Sequence, residues 1–480
     1  MHRPAEIAHA AAFMKASIIT VIVLLLHLNC AASTPTGATP PNVIVILADD
    51  LGYGDLGCYG QEKIQTPNLD RMAREGVRFT RFYTGAPVCA PARETLLTGR
   101  HTGHSQLRAN AKLDLRPADT TVAEMLRAAG YRTALIGKWG LGKEGGPSAP
   151  RRKGFDYFFG YVDQTMAHNY YPTYLVRNEE RVRLRNVVPN PGPYDQGVAT
   201  EKVDYSADLL AADAVKFIRE HRDKRFFLYF APTLPHANGE ASPNGMEVPD
   251  YGPYADKPWT DPAKGYAAMV TRLDAHVGQL LATLKELSLD QNTLVIFTSD
   301  NGPHEEGGYD PATFNSSGGL RGIKRDLYEG GIREPMIARW PGHIPAGRTS
   351  DALAYFPDLM PTLAELAGAK APPNDGLSLL PTFLEKREQA KHAYLYWEFY
   401  EKATAQAVRF DKWKAIRSPV LTGKIELFDV ESDRAEATDV AKDHPDVAGR
   451  AVEMMSQAHE PSPIWTGTGR PNVERGSGSK

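Results

Sequence analysis

The chain has 480 residues, with 55 basic and 58 acidic side chains for a formal net charge of −3, and 42% hydrophobic and 24% charged residues. The near-balance of charge excludes a nucleic-acid binder that works through bulk positive charge, and the composition excludes a disordered or fibrous chain. At roughly 100–200 residues per domain the length predicts two or three domains. Three cysteines, Cys30, Cys58 and Cys89, are too few for a disulfide scaffold.

Lys15 precedes the apolar run Ala16–Leu26, followed by the small residues Cys30, Ala31, Ala32 and Ser33. Eleven residues fall short of the ~20 that span a bilayer as a helix. The pattern predicts a signal peptide over 1–33, with a buried core helix as the alternative, then a Thr/Pro/Gly-rich linker over 34–41. Export to the periplasm or the exterior follows, and Cys30 offers a site for a lipid anchor.

Beyond the linker, short apolar runs alternate with amphipathic stretches, which predicts an α/β fold with a large, mostly parallel sheet covered by helices on both faces. The expected strands are Val43–Leu47, Thr133–Ile136, Phe226–Phe230, Leu294–Thr298 and Met336–Arg339, and the expected helices include Thr121–Ala129, Ala207–Glu220 and Gly265–Leu287. One domain is expected over 42–380. A C-terminal subdomain over 381–462 follows, where alternating aromatic segments (HAYLYWEFY, AVRFDKWKAIR, KIELFDV) predict a small antiparallel sheet and Asp446–His459 a terminal helix. A flexible tail is expected over 463–480.

Four of the strands run directly into polar side chains: Asp49 and Asp50, Lys138, His236, and Asp300 and Asn301. The carboxyl ends of strands in an open parallel sheet form the ligand crevice, so these groups should converge. Three carboxylates and an amide are hard oxygen ligands, suited to Ca²⁺ or Mg²⁺ more than Zn²⁺. Taken singly, each acidic pair also reads as a solvated turn.

Cys89 opens Cys-Ala-Pro-Ala-Arg, continuing to Gly99. Pro91 suits a first helical turn and Gly99 a C-cap, which puts Cys89 at a helix N-terminus with Arg93 about one turn on. Unpaired N–H groups and the helix dipole make that an environment for an anion and for a reactive group at residue 89. A structural cysteine, or a Cys58–Cys89 disulfide, is the competing reading.

These residues resemble the signature of type I sulfatases, Cys-x-Pro-x-Arg followed by Leu-Leu-Thr-Gly-Arg. The resemblance continues through NVIVILADDLGYGD, ALIGKW, APTLPHA, FTSDNG and GIKRDLYEGGIREP, about Asn42 to Pro335. It implies the alkaline-phosphatase-like fold, a sulfatase catalytic domain over 42–380, and conversion of Cys89 to formylglycine by a maturation enzyme. Carried over residue by residue, it implies Ca²⁺ held by Asp49, Asp50, Asp300, Asn301 and modified residue 89, with Arg93 stabilising the hydrate. Lys138 and Lys324 would bind sulfate oxygens, and His236 would face the leaving oxygen. The implied reaction is attack of one hydrate hydroxyl on sulfur with Asp300 accepting the proton, then expulsion of sulfate by the second hydroxyl.

One position departs from the pattern. Many members read GKWHLG, with a histidine that assists sulfate elimination, whereas this chain has Gly140 there. His101, His104, His168 or a water is expected to fill the gap. The stretch Tyr161–Arg177, His168 above all, offers groups for holding a sugar ring. The expected substrate is a sulfated mono- or oligosaccharide. Two other readings stand beside a sulfatase: a phosphonate or phosphate ester hydrolase of the same superfamily, and a non-catalytic sulfated-glycan-binding protein whose cysteine stays unconverted.

Overall fold

A computed structural model describes residues 40–466 apart from Lys402. The expected signal peptide with Cys30, nearly all of the linker, and the tail beyond residue 466 lie outside the described residues. Among the described residues no helix is long and apolar enough to cross a membrane.

The large sheet has eleven strands: β1 (Asn42–Ala48), β2 (Val77–Tyr83), β3 (Arg132–Lys138), β4 (Tyr157–Tyr161), β5 (Tyr174–Arg177), β6 (Glu180–Arg183), β7 (Phe226–Ala231), β8 (Thr293–Ser299), β9 (Arg333–Arg339), β10 (Arg348–Ser350) and β11 (Ala354–Tyr355). Their order is β10-β2-β9-β8-β1-β7-β3-β4-β5-β6, with β11 also on β2. The central run β8-β1-β7-β3-β4 is parallel throughout, whereas β9 runs antiparallel to β8 and β5 antiparallel to β4. All five expected strands form. The six others were not legible because they are short, or, like β2 with its alternation of buried and half-buried residues, too polar to read as a continuous apolar run.

Alternation along β1 shows why its sequence is apolar at every position. Ile44, Ile46 and Ala48 pack on one face with helices Ser206–Glu220 and Asp261–Glu286, and Val43, Val45 and Leu47 pack on the other with helices Val122–Ala128 and Leu359–Ala367. A strand covered on both sides has no solvent face on which a polar residue could sit. Thr121 caps its helix through a reciprocal capping box with Glu124, as the Thr-x-x-Glu spacing requires.

The C-terminal segment forms an antiparallel sheet of four strands in sequence order: β12 (Leu395–Phe399), β13 (Ala405–Phe410), β14 (Trp413–Ser418) and β15 (Lys424–Asp429). Helix Pro445–Ala458 covers one face through Val447, Ala451 and Met455. The opposite face packs Trp397 on Tyr83 and Tyr355 of the large sheet, and Trp397 Nε1 donates to the Thr84 carbonyl at 2.7 Å. Trp465, within the expected tail, is buried in this cluster and its Nε1 donates to the Gln106 carbonyl.

Candidate active site

Register brings the polar strand ends together. Ala48 pairs with Ser299 and Gly137 with Ala231, so Asp49–Asp50, Asp300–Asn301 and Lys138 all leave the sheet at one level. His236 follows β7, and Asp49 N–H donates to the Leu234 carbonyl, tying that loop to the end of β1. Cys89 begins helix Cys89–Thr98, which is buried along its whole length, and Gly99 closes it in the left-handed conformation at φ 71°. That helix points its N-terminus at the crevice.

Cys89 Sγ lies 3.4 Å from Asp49 Oδ1 and 3.9 Å from Asp50 Oδ1. Arg93, completely buried, donates to Asp300 Oδ2 at 2.8 Å and sits 3.3 Å from Asp49 Oδ2. Lys138 Nζ contacts Asp49 Oδ2 at 2.8 Å, and Lys324 Nζ contacts Asp50 Oδ2 at 2.8 Å. His236 Nε2 lies 3.4 Å from Asp50 Oδ2 and 3.3 Å from Lys324 Nζ. Asn301 Nδ2 donates to Asp50 Oδ1 at 2.7 Å, and Asp50 N–H donates to Asp300 Oδ1 at 3.1 Å. Every sequence-predicted residue of this set is therefore in one place, with His168 at its edge, its ring stacked 4.7 Å from that of His236.

Three buried carboxylates face three buried cations, and geometry divides their protonation. Burial alone would raise Asp49, but Lys138 and Arg93 hold its carboxyl well below the usual carboxylate range. Asp50 is likewise held down against its burial, chiefly by Lys324. Burial, then the charge of Asp49, pushes Asp300 up to about 7. Burial and Lys324 push His236 down to about 3, so its imidazole is neutral. Burial and Asp49 raise the Cys89 thiol well above its ordinary value, which leaves it protonated and a poor nucleophile as cysteine.

The oxygen donors at the cluster fit a hard cation. Asp49 and Asp50 each turn a carboxylate oxygen into the small volume that Cys89 and His236 also face, and Asn301 Oδ1 is buried without a hydrogen-bond partner. An orphaned buried acceptor costs about 1–3 kcal/mol, and a cation at that point would satisfy it.

A cavity of about 740 Å³ opens onto this cluster, lined near the cluster by Ala90, Gly140, Gln164, His168, His236 and Lys324. Gly140 takes φ 72°, and a β-carbon there would lie 2.8 Å from Gln164 Oε1, itself buried and unpartnered. Gln164 thus occupies the space beside the missing side chain. Of the three expected substitutes, only His168 reaches the cavity. His101 and His104 do not line it; they stack on one another beside Asp375 and Tyr396, held there by the turn after Gly99. The Cys58–Cys89 disulfide does not form: both thiols are free, and Cys58 lies by Asp70 and Arg78.

Sequence reasoning missed Glu306 and Arg325. Glu306 contacts Lys324 Nζ at 3.0 Å and Arg325 Nη1 at 2.6 Å on the cavity wall. The signal was present in Pro303-His304-Glu305-Glu306, acids in a loop just past a site-bearing strand, but nothing in the sequence distinguishes the solvated Glu305 from the partnered Glu306.

The sulfatase family model matches residues 41–369, and the model for the C-terminal region of N-sulphoglucosamine sulphohydrolase matches residues 323–459. The chain belongs to the sulfatase family. Human arylsulfatase A is 37% identical over 406 residues, 79% of this chain and 75% of the relative. Pig N-acetylgalactosamine-6-sulfatase is 34% identical over 414 residues, 82% of this chain and 74% of the relative. The crystal structure of Ps i-CgsB in complex with k-i-k-neocarrahexaose superposes with a TM-score of 0.74 at 29% identity, covering 87% of this chain and 92% of that one. This sulfatase hydrolyses sulfate esters, and the crevice at the strand ends holds the buried group of acids and Cys89 suited to a metal and to the modification the family uses.

Proposed function

We propose that the sulfatase releases inorganic sulfate from sulfated carbohydrates, with residue 89 converted to formylglycine and Ca²⁺ bound by Asp49, Asp50, Asp300, Asn301 and residue 89. The observation that carries this is the buried cluster itself: a cysteine with no thiolate chemistry, at a helix N-terminus, within 3.4 Å of Asp49. Formylglycine at position 89 would supply, as its hydrate, two hydroxyls on one carbon, and Ca²⁺ held by these residues would supply positive charge toward the bound sulfate.

The chain's own residues do the rest. Lys138 and Lys324, each ion-paired to a carboxylate yet at the crevice floor, offset the charge that spreads over the sulfate oxygens. Arg93 fixes Asp300 and Asp49, and Asp300, raised to about 7, holds or takes a proton near neutral pH. His236 donates its Nδ1–H to the Ala237 carbonyl at 2.7 Å, which directs the unprotonated Nε2 toward Lys324 Nζ, and the Lys324 ammonium, the proton-bearing member of this pair, protonates the leaving oxygen. His168 stacks on His236 and presents its ring edge to the sugar. The carbohydrate assignment is supported by the saccharide bound in Ps i-CgsB and by the name of the N-acetylgalactosamine-6-sulfatase relative. Export belongs to the same proposal and rests on the Ala16–Leu26 pattern.

The test is sulfate release from defined sulfated mono- and oligosaccharides beside matched phosphate and phosphonate esters, using enzyme co-produced with a formylglycine-generating enzyme. Sulfated sugars turned over fastest would support the reading; faster phosphodiester or phosphonate turnover would overturn it. Mass spectrometry of the residue-89 peptide should show an aldehyde in place of the thiol.

A further inference from the structure

Glu306 sits in the cavity wall about 30% exposed, so its carboxylate is neither sequestered nor free. A carboxylate has about four lone-pair sites. Lys324 Nζ engages Oε2 at 3.0 Å and Arg325 Nη1 engages Oε1 at 2.6 Å, while Arg325 is itself anchored to Glu401 at 3.1 Å. The two cations hold the carboxyl below the usual carboxylate range against its partial burial, and each engages one of its oxygens, so acceptor sites remain on the cavity wall beside the lysine expected to bind sulfate.

The rest of the cavity lacks the positive surplus that a polyanionic glycan would require. Five acidic and five basic side chains line it. Of the cations, Arg181 is already paired with Glu144, and Lys324 and Arg325 with Glu306, which leaves Lys112, bonded to the Tyr194 hydroxyl, and Lys143 against Asp114, Asp163 and Asp195. Asp163 and Asp195 bond only neutral donors, the backbone of Thr165 and Met166 and the hydroxyl of Thr173. Apart from the point where the sulfate enters, the field is neutral to negative, and a second anion brought beside Asp163, Asp195 or Glu306 meets like charge.

Building on the sulfatase reading, we propose that Glu306 is a specificity-determining residue. It accepts a hydroxyl adjacent to the scissile sulfate, and with Asp163 and Asp195 it selects a sugar that carries one sulfate and no neighbouring carboxylate or second sulfate. A hydroxyl donates to the fixed carboxylate; an anion at the same place has no proton to give and meets its charge.

The experiment measures kcat/KM for monosulfated hexoses and N-acetylhexosamines, and for the disulfated counterpart of each sugar that is hydrolysed. Wild type should prefer the monosulfated member about tenfold or more, and added salt should narrow the gap. Glu306→Gln should bring the ratio toward one, Glu306→Asp should preserve much of it, and Asp163→Asn should shift it less. Any general loss through Lys324 divides out of the ratio. Equal or better use of the disulfated sugar by wild type would overturn the proposal, as would an unchanged ratio in Glu306→Gln. If Glu306→Gln fails to fold, the wild-type ratio and its salt dependence decide. Hydrolysis of aryl sulfates with no sugar sulfate accepted would remove the carbohydrate reading and this proposal with it.

Discussion

Two buried clusters of charge among the described residues differ in one respect: one meets a cavity and the other does not. At the strand ends, Asp49, Asp50 and Asp300 face Arg93, Lys138 and Lys324 beneath a cavity. Under the C-terminal sheet, Lys414 lies 3.1 Å from Glu329 and 3.0 Å from Glu436, Arg333 lies 3.1 Å from Glu329, and Tyr83 donates to Glu329 at 2.8 Å. Both are completely or almost completely buried. In the second cluster each charge meets an opposite charge and lines none of the cavity, so it locks the small sheet onto β2 and β9. The first opens on a cavity, which the second does not reach, while both hold buried acceptors without a hydrogen-bond partner: Asn301 Oδ1 in the first, Glu329 Oε1 and Glu436 Oε1 in the second. Neither buried charge nor an unsatisfied acceptor alone marks a site; a cavity that gives a ligand access to them does.

The largest effect that would break this contrast concerns residue 89. Cys89→Ala should lower turnover on the order of 10⁴-fold or more with little change in thermal melting, measured by sulfate release and calorimetry. Lys138→Met should lower kcat about 10²- to 10³-fold, since it removes a cation aimed at the sulfate. It also frees Asp49 from its partner, so Asp49 should titrate at higher pH in the variant, which is read from the acid limb of the rate profile. Lys414→Met should do the reverse: about 3–5 kcal/mol of lost stability, seen by denaturant melts, with activity per folded molecule retained. Were Lys414→Met to abolish activity without loss of stability, the two clusters would not be separable as described.

The smallest effect is at the third polar cluster, His101–His104–Asp375. Burial pushes His101 down to about 4, below its unfolded value near 6.5, so the folded state holds the neutral ring. A depressed histidine costs stability as pH falls from about 6.5 toward 4, because only the unfolded chain takes up the proton freely. His104, raised by its hydrogen bond to Asp375, works in the opposite sense. Between pH 7 and pH 5, His101→Gln should therefore lose less stability than wild type, by about 2 kcal/mol, with turnover at pH 7 unaffected.

How much of this was readable from sequence follows from where each signal resides. Continuous apolar runs ending in acids made the central strands and Asp49, Asp50, Asp300 and Asn301 legible, because a two-sided sheet admits no other pattern. The resemblance supplied Lys324, which lies on no predicted strand. It also included Tyr-Glu-Gly-Gly-Ile-Arg-Glu-Pro, whose Glu329 and Arg333 prove to be packing groups of the second cluster. The edge strands β6 and β10, with β5 beside β6, were illegible because half-exposed short strands resemble loops. The roles of Gln164 and Glu306 depend on contacts across 24 and 18 residues, to Gly140 and Lys324, which no local pattern encodes.

The most direct test of the central claim is inorganic sulfate release from a panel of monosulfated sugars by matured wild type and Cys89→Ala at matched folded concentration. The account predicts release by wild type and none above background by the variant. Equal release by both would show that residue 89 and the cluster around it are not the reaction centre.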